Sequence, residues 1–221
     1  MSFNNLNRAF STFAATAACL AIFATVAFAA VVTGDDTSEN LKGTNGADTI
    51  TANGGDDKVN AKRGNDTITG DLGNDRLWAG RGDDTVNGGD GNDKLHGGDG
   101  NDTQDGGPGD DTIYAGFGVD TSYGGEGNDR LWALARRDAS GKDDTKVDTL
   151  DGGPGDDTFR ARDGEADKIT CGEGNDRAFL DKRDVITDAT AENPNGSCES
   201  VKRQRQHRRW YQSGETHNEQ P

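Results

Sequence analysis

Aliphatic residues recur with a nine-residue period over residues 43–132, and a polar residue precedes each of them. Numbered from Gly43, ten nine-residue copies follow one another without a gap, and position 8 is aliphatic in eight of them. One inward residue between two outward neighbours is typical of a short, half-buried strand. Positions 7–9 are therefore predicted to be strands and the glycine-rich positions 1–6 to be turns. The aliphatic residues are Ile50, Val59, Ile68, Leu77, Val86, Leu95, Ile113 and Leu131.

Two copies are needed for one coil, because a core must be closed from both sides. One coil then takes 18 residues, and neighbouring coils are separated by about 4.8 Å. Odd-numbered copies supply one sheet and even-numbered copies the other. Gln104 and Ser122 interrupt the aliphatic pattern in adjacent odd copies. The odd sheet is predicted to be weakest there.

Two other positions of the repeat do not vary, since position 4 is always glycine and position 6 always aspartate. The glycines are Gly46, Gly55, Gly64, Gly73, Gly82, Gly91, Gly100, Gly109, Gly118 and Gly127. The aspartates are Asp48, Asp57, Asp66, Asp75, Asp84, Asp93, Asp102, Asp111, Asp120 and Asp129, and later copies add Asp157, Asp167 and Asp176.

The period breaks after Trp132. Residues 133–151 are interpreted as an insertion followed by a degenerate copy, and residues 152–179 as further repeats. Residues 180–201 no longer repeat and are predicted to form the end cap that a repeat stack needs. The basic segment 202–221 is predicted to be a disordered tail.

The beginning of the chain resembles an export signal. One positive side chain, Arg8, precedes an apolar, alanine-rich run that ends in Ala27-Phe28-Ala29, a small-x-small cleavage sequence. Residues 1–29 are predicted to be a cleaved signal peptide and residues 30–42 a lead-in to the repeats. The alternative is an uncleaved membrane anchor. After cleavage we expect a secreted protein without membrane association.

Two cysteines remain after cleavage, Cys171 and Cys198. An exported protein with an even number of cysteines favours a disulfide, which would tie the cap to the last repeat. The alternative is a pair of free thiols.

The composition argues against an ordinary packed core. Hydrophobic residues make up 30% of the chain, glycine accounts for 33 of 221 residues, and the net charge is −16. A disordered spacer would share this composition but has no need of a fixed period. Residues 202–221 carry five Lys or Arg against two Glu, a net +3, which leaves −19 for the remainder. A charge of −19 on residues 1–201 requires cations or basic partners and excludes nucleic acid as a partner.

The pattern Gly-Gly-x-Gly-x-Asp-x-aliphatic-x resembles the repeats-in-toxin, or haemolysin-type, calcium-binding repeat. The resemblance covers residues 43–179 with a break at 133–147, and the end of the chain is similar to small secreted bacterial calcium-binding proteins. It implies an all-β fold, a right-handed parallel β-roll. It also implies several Ca²⁺ ions between the turns of adjacent coils, held by the position-6 aspartates and by backbone carbonyls near the position-4 glycines.

Calcium also suits the turns physically. Aspartates 18 residues apart stack on neighbouring coils and repel one another unless a cation lies between them. Ca²⁺ accepts 6–8 oxygen ligands, from carboxylates and from backbone carbonyls. Because metal binding and folding are coupled in such sites, the chain is predicted to be largely unfolded without Ca²⁺.

The outward positions differ between the two sheets. Even strands carry cationic and aromatic residues, a candidate surface for an extracellular glycan or an anionic wall polymer; the alternative is a stabilising ladder of stacked neighbours. Odd strands are rich in threonine and begin with Thr-Ile-Thr twice, which resembles some ice-binding β-solenoids. The even candidates are Arg76, Trp78, Lys94, His96, Tyr114, Arg130 and Trp132.

No catalytic signature accompanies the repeats. Neither His-Glu-x-x-His nor Gly-x-Ser-x-Gly occurs, and His96, His207 and His217 are scattered along the chain. The chain is interpreted as a calcium-binding module and not as an enzyme.

Overall fold

The computed structural model describes residues 28–133, 146–187, 189 and 196–203. These residues form 18 strands in two parallel sheets of nine, with odd-numbered strands in one sheet and even-numbered strands in the other, and they contain no helix. The odd sheet comprises β1 Val31–Thr33, β3 Thr49–Thr51, β5 Thr67–Leu72, β7 Thr85–Asp90, β9 Thr103–Pro108, β11 Thr121–Glu126, β13 Thr149–Asp151, β15 Lys168–Thr170 and β17 Val185–Ile186. The even sheet comprises β2 Asn40–Lys42, β4 Lys58–Arg63, β6 Arg76–Arg81, β8 Lys94–Asp99, β10 Thr112–Phe117, β12 Arg130–Trp132, β14 Thr158–Ala161, β16 Arg177–Leu180 and β18 Ser200–Arg203.

Each strand pairs with the strand two further along the chain. In the regular part the partners are 18 residues apart, so that Ile68 lies opposite Val86 and Leu77 opposite Leu95. Two strands and two turns therefore complete one coil. This confirms the predicted all-β fold and parallel β-roll.

The strands are longer than the three residues predicted. From β4 to β11 each has six residues and continues through positions 1–3 of the next copy, so only positions 4–6 form the turn. Gly80 shows why the sequence suggested shorter strands, because it lies inside a strand and not in a turn. Its φ is +114°, and an added Cβ would lie 2.2 Å from the carbonyl oxygen of Lys62, so this position in the strand requires glycine. Glycine at position 2 thus serves close approach between coils as well as turning.

The core lies between the sheets as one row of side chains from each. The position-8 residues are fully buried, and so are small residues at position 1 such as Ala79 and Ala115. Phe159 is the largest fully buried side chain. The narrow core explains how a chain with few hydrophobic residues forms a repetitive fold.

Gln104 and Ser122 point into this core and are fully buried. They lie opposite each other on β9 and β11. The Ser122 hydroxyl donates to Gln104 Oε1 at 3.2 Å, and Gln104 Nε2 donates to the carbonyl of Tyr114 at 3.2 Å. The two polar residues therefore satisfy each other inside an apolar row.

The roll extends beyond the regular copies at both ends. β1 and β2 pair with β3 and β4, and β17 and β18 pair with β15 and β16. The sheets also continue across the irregular segment, since Thr121 pairs with Thr149 and Arg130 with Thr158. Residues 134–145 of the predicted insertion lie outside the described residues.

The predicted disulfide is confirmed. Cys171 and Cys198 are bonded, with Cα atoms 5.2 Å apart, and both are buried. Most of the predicted signal peptide and tail lie outside the described part of the chain, as residues 1–27 and 204–221. Among the residues that the structure describes, no helix has the length and apolarity needed to cross a membrane.

Candidate metal centre

Buried acidic side chains stack in two columns, one at each edge of the roll where the turns lie. Within a column, the backbone N–H of each aspartate donates to Oδ1 of the aspartate one coil further on, at 2.7–3.0 Å over most of the length. The odd column contains Asp48, Asp66, Asp84, Asp102, Asp120, Asp148, Asp167 and Asp184. The even column contains the buried Asp57, Asp75, Asp93, Asp111, Asp129, Asp157 and Asp176, and it ends in the exposed Glu199.

The second carboxylate oxygen, Oδ2, is buried and takes no hydrogen bond from the described residues at most of these positions. A buried anionic oxygen without a partner is costly, and native proteins supply a hydrogen bond or a cation. Two rows of such oxygens therefore fit a row of bound cations. The positions are Asp57, Asp66, Asp75, Asp84, Asp93, Asp102, Asp111, Asp129, Asp157, Asp167 and Asp176.

Burial also raises the pKa of these carboxyl groups. The pKa is about 8 for Asp102 and Asp111 and about 7 for Asp93, first because of burial and then because neighbouring aspartates in the column carry like charge. It reaches about 10 for Asp148 for the same reasons. Without a cation these groups hold protons near neutral pH, and a bound cation would favour their ionised form.

The turn glycines bring backbone carbonyls into line beside the aspartates. At Gly82, φ is +131° and an added Cβ would lie 1.9 Å from the carbonyl oxygen of Gly64, one coil earlier. Gly100 stands in the same relation to the carbonyl of Gly82. Position 4 therefore admits only glycine, and its carbonyls stack two residues away from each aspartate.

Side chains alone do not complete a metal site. Across the described ranges, no group of three or more His, Cys, Asp or Glu converges as a metal cluster. An ion between the coils would have to complete its shell with backbone carbonyls. That requirement favours Ca²⁺, which readily accepts carbonyl oxygens, over Zn²⁺, which prefers nitrogen and sulfur ligands.

The ten position-6 aspartates of the regular copies lie in two columns of five, as their 18-residue spacing predicts, and Asp157, Asp167 and Asp176 continue these columns. Their role as metal ligands stays a prediction. Asp148, Asp184 and Glu199, which were not predicted, also belong to the columns. Asp148 lies in the degenerate copy, and the other two lie where no repeat was recognised. The Asp148-Thr149-Leu150 sequence, which has the Asp-Thr-aliphatic form of the regular copies, was a usable signal for the first.

Position 5 forms a further ladder that the sequence reasoning missed. The Asn92 N–H donates to Asn74 Oδ1 at 3.0 Å, and the Asp110 N–H donates to Asn92 Oδ1 at 2.9 Å. At position 5 the N–H of one coil donates to the side chain of the coil before it, whereas at position 6 the N–H donates to the side chain of the coil after it. The signal was present, because position 5 is Asn or Asp in eight of the ten copies. Positions 5 and 6 together fasten each turn to both neighbouring coils.

The aromatic residues of the even sheet stack on one another along the roll. Trp78, His96, Tyr114 and Trp132 follow one another with ring centroids 5.7, 4.5 and 4.7 Å apart and nearly parallel planes. The Arg160 guanidinium continues the stack 5.8 Å from the Trp132 centroid. Both faces of the His96 and Tyr114 rings are thus covered by neighbouring rings. This supports the stabilising-ladder interpretation.

The fold and the two acidic columns define a parallel β-roll with a row of buried carboxylates at each edge. A family model for the RTX calcium-binding nonapeptide repeat matches the chain in four copies, at residues 33–68, 69–104, 96–131 and 144–178. These matches cover more than half of the chain, and the protein belongs to this family of calcium-binding repeat proteins. No curated protein matches the chain in a sequence comparison.

Proposed function

We propose that this protein is a secreted calcium-binding β-roll whose folding depends on several Ca²⁺ ions bound between its turns. The observation that supports this most strongly is the double row of buried Oδ2 atoms without hydrogen-bond partners among the described residues. The proposed ligands are the position-6 carboxylates together with backbone carbonyls near the position-4 glycines. Bound Ca²⁺ would supply positive charge between coils that otherwise place like charges on top of one another.

Calorimetric titration of the full chain with Ca²⁺, and with Mg²⁺ as the matched ion, tests the binding. We expect several Ca²⁺ ions to bind and Mg²⁺ to bind much more weakly, because Mg²⁺ requires near-octahedral geometry and loses its water reluctantly. Equal binding of the two ions, or heat from neither, would contradict the proposal.

Secretion is supported by the disulfide, since such bonds persist mainly in oxidising compartments. Cleavage after Ala29 would make Ala30 the amino terminus, and its nitrogen lies 2.6 Å from Asp48 Oδ1 at the start of the odd column. The mature terminus would then pair its positive charge with that carboxylate. Mass spectrometry of the protein from culture medium is expected to show a chain that begins at Ala30, and a chain that retains Met1 would contradict this.

A second proposed role is contact with an extracellular polymer through the even sheet, and no catalytic role is proposed. Sugar stacking on the rings is poorly supported, because Tyr114 lies between His96 and Trp132 with both faces covered. The charged residues beside the ladder remain accessible and are the better basis for such a role.

A further inference from the structure

At positions 7 and 9 of the even strands, every fixed charge is positive. We use "even face" for these eighteen side chains of the nine even strands. They include eight cations and no Asp or Glu, whereas the side chains at the corresponding positions of the odd sheet include one Lys and two Asp. The even strands carry an acidic residue only further along, towards the turns, where Asp99 of β8 pairs with Arg81 of β6. In a chain of net charge −16, this is a marked segregation. The cations are Lys42, Lys58, Arg76, Lys94, Arg130, Arg160, Arg177 and Lys202.

The position-7 cations form a row along the axis of the roll. Lys58, Arg76 and Lys94 are direct partners on successive strands, which are about 4.8 Å apart. None of these three cations forms a salt bridge with a described residue. The salt bridge that the described residues do contain joins Arg81 and Asp99, which lie on neighbouring strands next to the turns. The row therefore presents positive charge to solvent at regular spacing.

A shallow depression interrupts the row at Thr112. Thr112 pairs with Lys94 on one side and with Arg130 on the other. The depression has a volume of about 330 Å³, and Lys94, Thr112, Tyr114 and Trp132 are among the residues that line it. An anionic group placed there would meet a hydroxyl donor with a cation on either side.

The ring edges add donors of a different kind beside this depression. Because the ladder rings stack face to face along the sheet, they turn their edges outward. Tyr114 carries a hydroxyl group and Trp132 an indole N–H, both of which can donate to sugar hydroxyls. The site thus combines charge recognition with neutral hydrogen bonding.

The charge pattern also restricts the kind of polyanion. Asp75, Asp93 and Asp110 line the same depression together with the cations Arg76 and Lys94, so the cationic strip has acidic residues along its edge. Nucleic acid carries charge at high density and would be repelled by these residues and by the acidic body. An extended acidic polysaccharide carries at most about one carboxylate per sugar, a spacing comparable with that of the strands.

We propose that the even face binds a linear, carboxylated polysaccharide along the axis of the roll, with one carboxylate at the Thr112 depression. This inference rests on the proposed calcium-dependent folding, because the row exists only when the strands are paired. It goes beyond calcium binding by naming a surface and the chemical class of its partner.

Affinity electrophoresis of the Ca²⁺-loaded full chain tests the proposal, with carboxymethyl cellulose in the gel and neutral hydroxyethyl cellulose as its match. Lys94→Gln combined with Arg130→Gln is expected to weaken retention about tenfold. Lys168→Gln combined with Lys182→Gln is the control, since it removes the same charge from residues outside the even face. We expect the control pair to be retained like the wild type.

Equal retention by the two celluloses, or equal weakening in both double variants, would overturn the proposal. So would tighter binding to single-stranded DNA than to carboxymethyl cellulose in the same buffer. Circular dichroism of the same samples distinguishes a failure of the proposed calcium-dependent folding from a failure of the proposed polysaccharide site. A chain that does not fold with Ca²⁺ refutes the proposed function, whereas a folded chain without retention refutes only the polysaccharide site.

Discussion

The backbone N–H of Asp93 donates to Oδ1 of Asp111 at 2.7 Å, across one full coil of the roll. The other oxygen of Asp111, Oδ2, is buried and takes no hydrogen bond from a described residue. We expect position 6 to have two separable functions, since Oδ1 accepts a hydrogen bond from the neighbouring coil and Oδ2 is proposed to bind a cation. The first function needs only an acceptor, but the second needs negative charge.

Asp102→Asn separates these functions in the middle of the odd column. The amide oxygen still accepts from the Asp84 N–H, which is 2.9 Å from Oδ1 in the wild type, but the negative charge is lost. We expect the Ca²⁺ concentration at the folding midpoint to rise about tenfold, equivalent to about 1.4 kcal/mol. Calcium titration followed by circular dichroism measures this shift.

Asp83→Asn is the matched control, in the neighbouring turn one coil earlier. Asp83 is exposed and its Oδ1 accepts from the Asn101 N–H at 2.8 Å, a bond that asparagine retains. The midpoint should stay near the wild-type value. If both substitutions shift it equally, general charge and not the column determines the calcium response.

The metal-free protein is expected to lose stability as the pH rises from about 4 to about 8. The pKa is raised by burial to about 6 for Asp75 and about 8 for Asp102, from 3.8 in the unfolded chain. In this range the folded chain holds protons that the unfolded chain has released, so lower pH favours folding. Calcium affinity should rise over the same range, because Ca²⁺ displaces those protons.

Far-UV circular dichroism of the metal-free chain at several pH values checks this dependence, because it reports the folded fraction even where that fraction is small. A metal-free chain that is more stable at pH 8 than at pH 5 would show that the columns are not protonated as described.

The disulfide between Cys171 and Cys198 is expected to stabilise the C-terminal coils. Its loop spans 27 residues, for which the chain-entropy relation gives about 3–4 kcal/mol. Replacing both cysteines with serine should lower the free energy of unfolding of the Ca²⁺-loaded protein by this order. Unchanged unfolding in denaturant, with and without the bond, would show that the other contacts suffice.

The polar pair in the odd sheet is expected to limit stability. Gln104→Met combined with Ser122→Val would replace the two hydrogen-bonded side chains with apolar groups, and valine restores the aliphatic residue that position 8 holds in most copies. We expect a gain of about 1–2 kcal/mol, because both side chains of the pair are removed together and only the Tyr114 carbonyl loses a donor. Thermal melts of the Ca²⁺-loaded double and single variants check this, and a double variant less stable than either single one would refute it.

Much of the architecture was predictable because one rule repeats. The nine-residue period gives the strands, the 18-residue register and the two aspartate columns, since a shift of one residue would turn Leu95 outward and Lys94 inward. The strands at the ends were not predictable in this way. Segments such as Ser200–Arg203 and Val185–Ile186 lack the turn glycines of the repeat, although an acidic residue, Glu199 or Asp184, precedes each of them. They are held by pairing with the coil before them.

One feature escaped the sequence because glycine signals both turns and close approach, so Gly80 was assigned to a turn although it lies within β6. The aromatic residues of the even strands allowed two interpretations, a ligand surface or a stacked ladder. Composition does not provide the stacking distances that decide between them, and the structure places Tyr114 between His96 and Trp132. Both features are consequences of contacts between coils and not of any single repeat.

Far-UV circular dichroism of the disulfide-bonded chain, recorded in excess chelator and then in excess Ca²⁺, tests the central claim most directly. The account predicts a largely unfolded spectrum in chelator and a β-sheet spectrum that appears with Ca²⁺, reversibly. A β-sheet spectrum of equal intensity in chelator would contradict it, because the acidic columns would then fold without a cation.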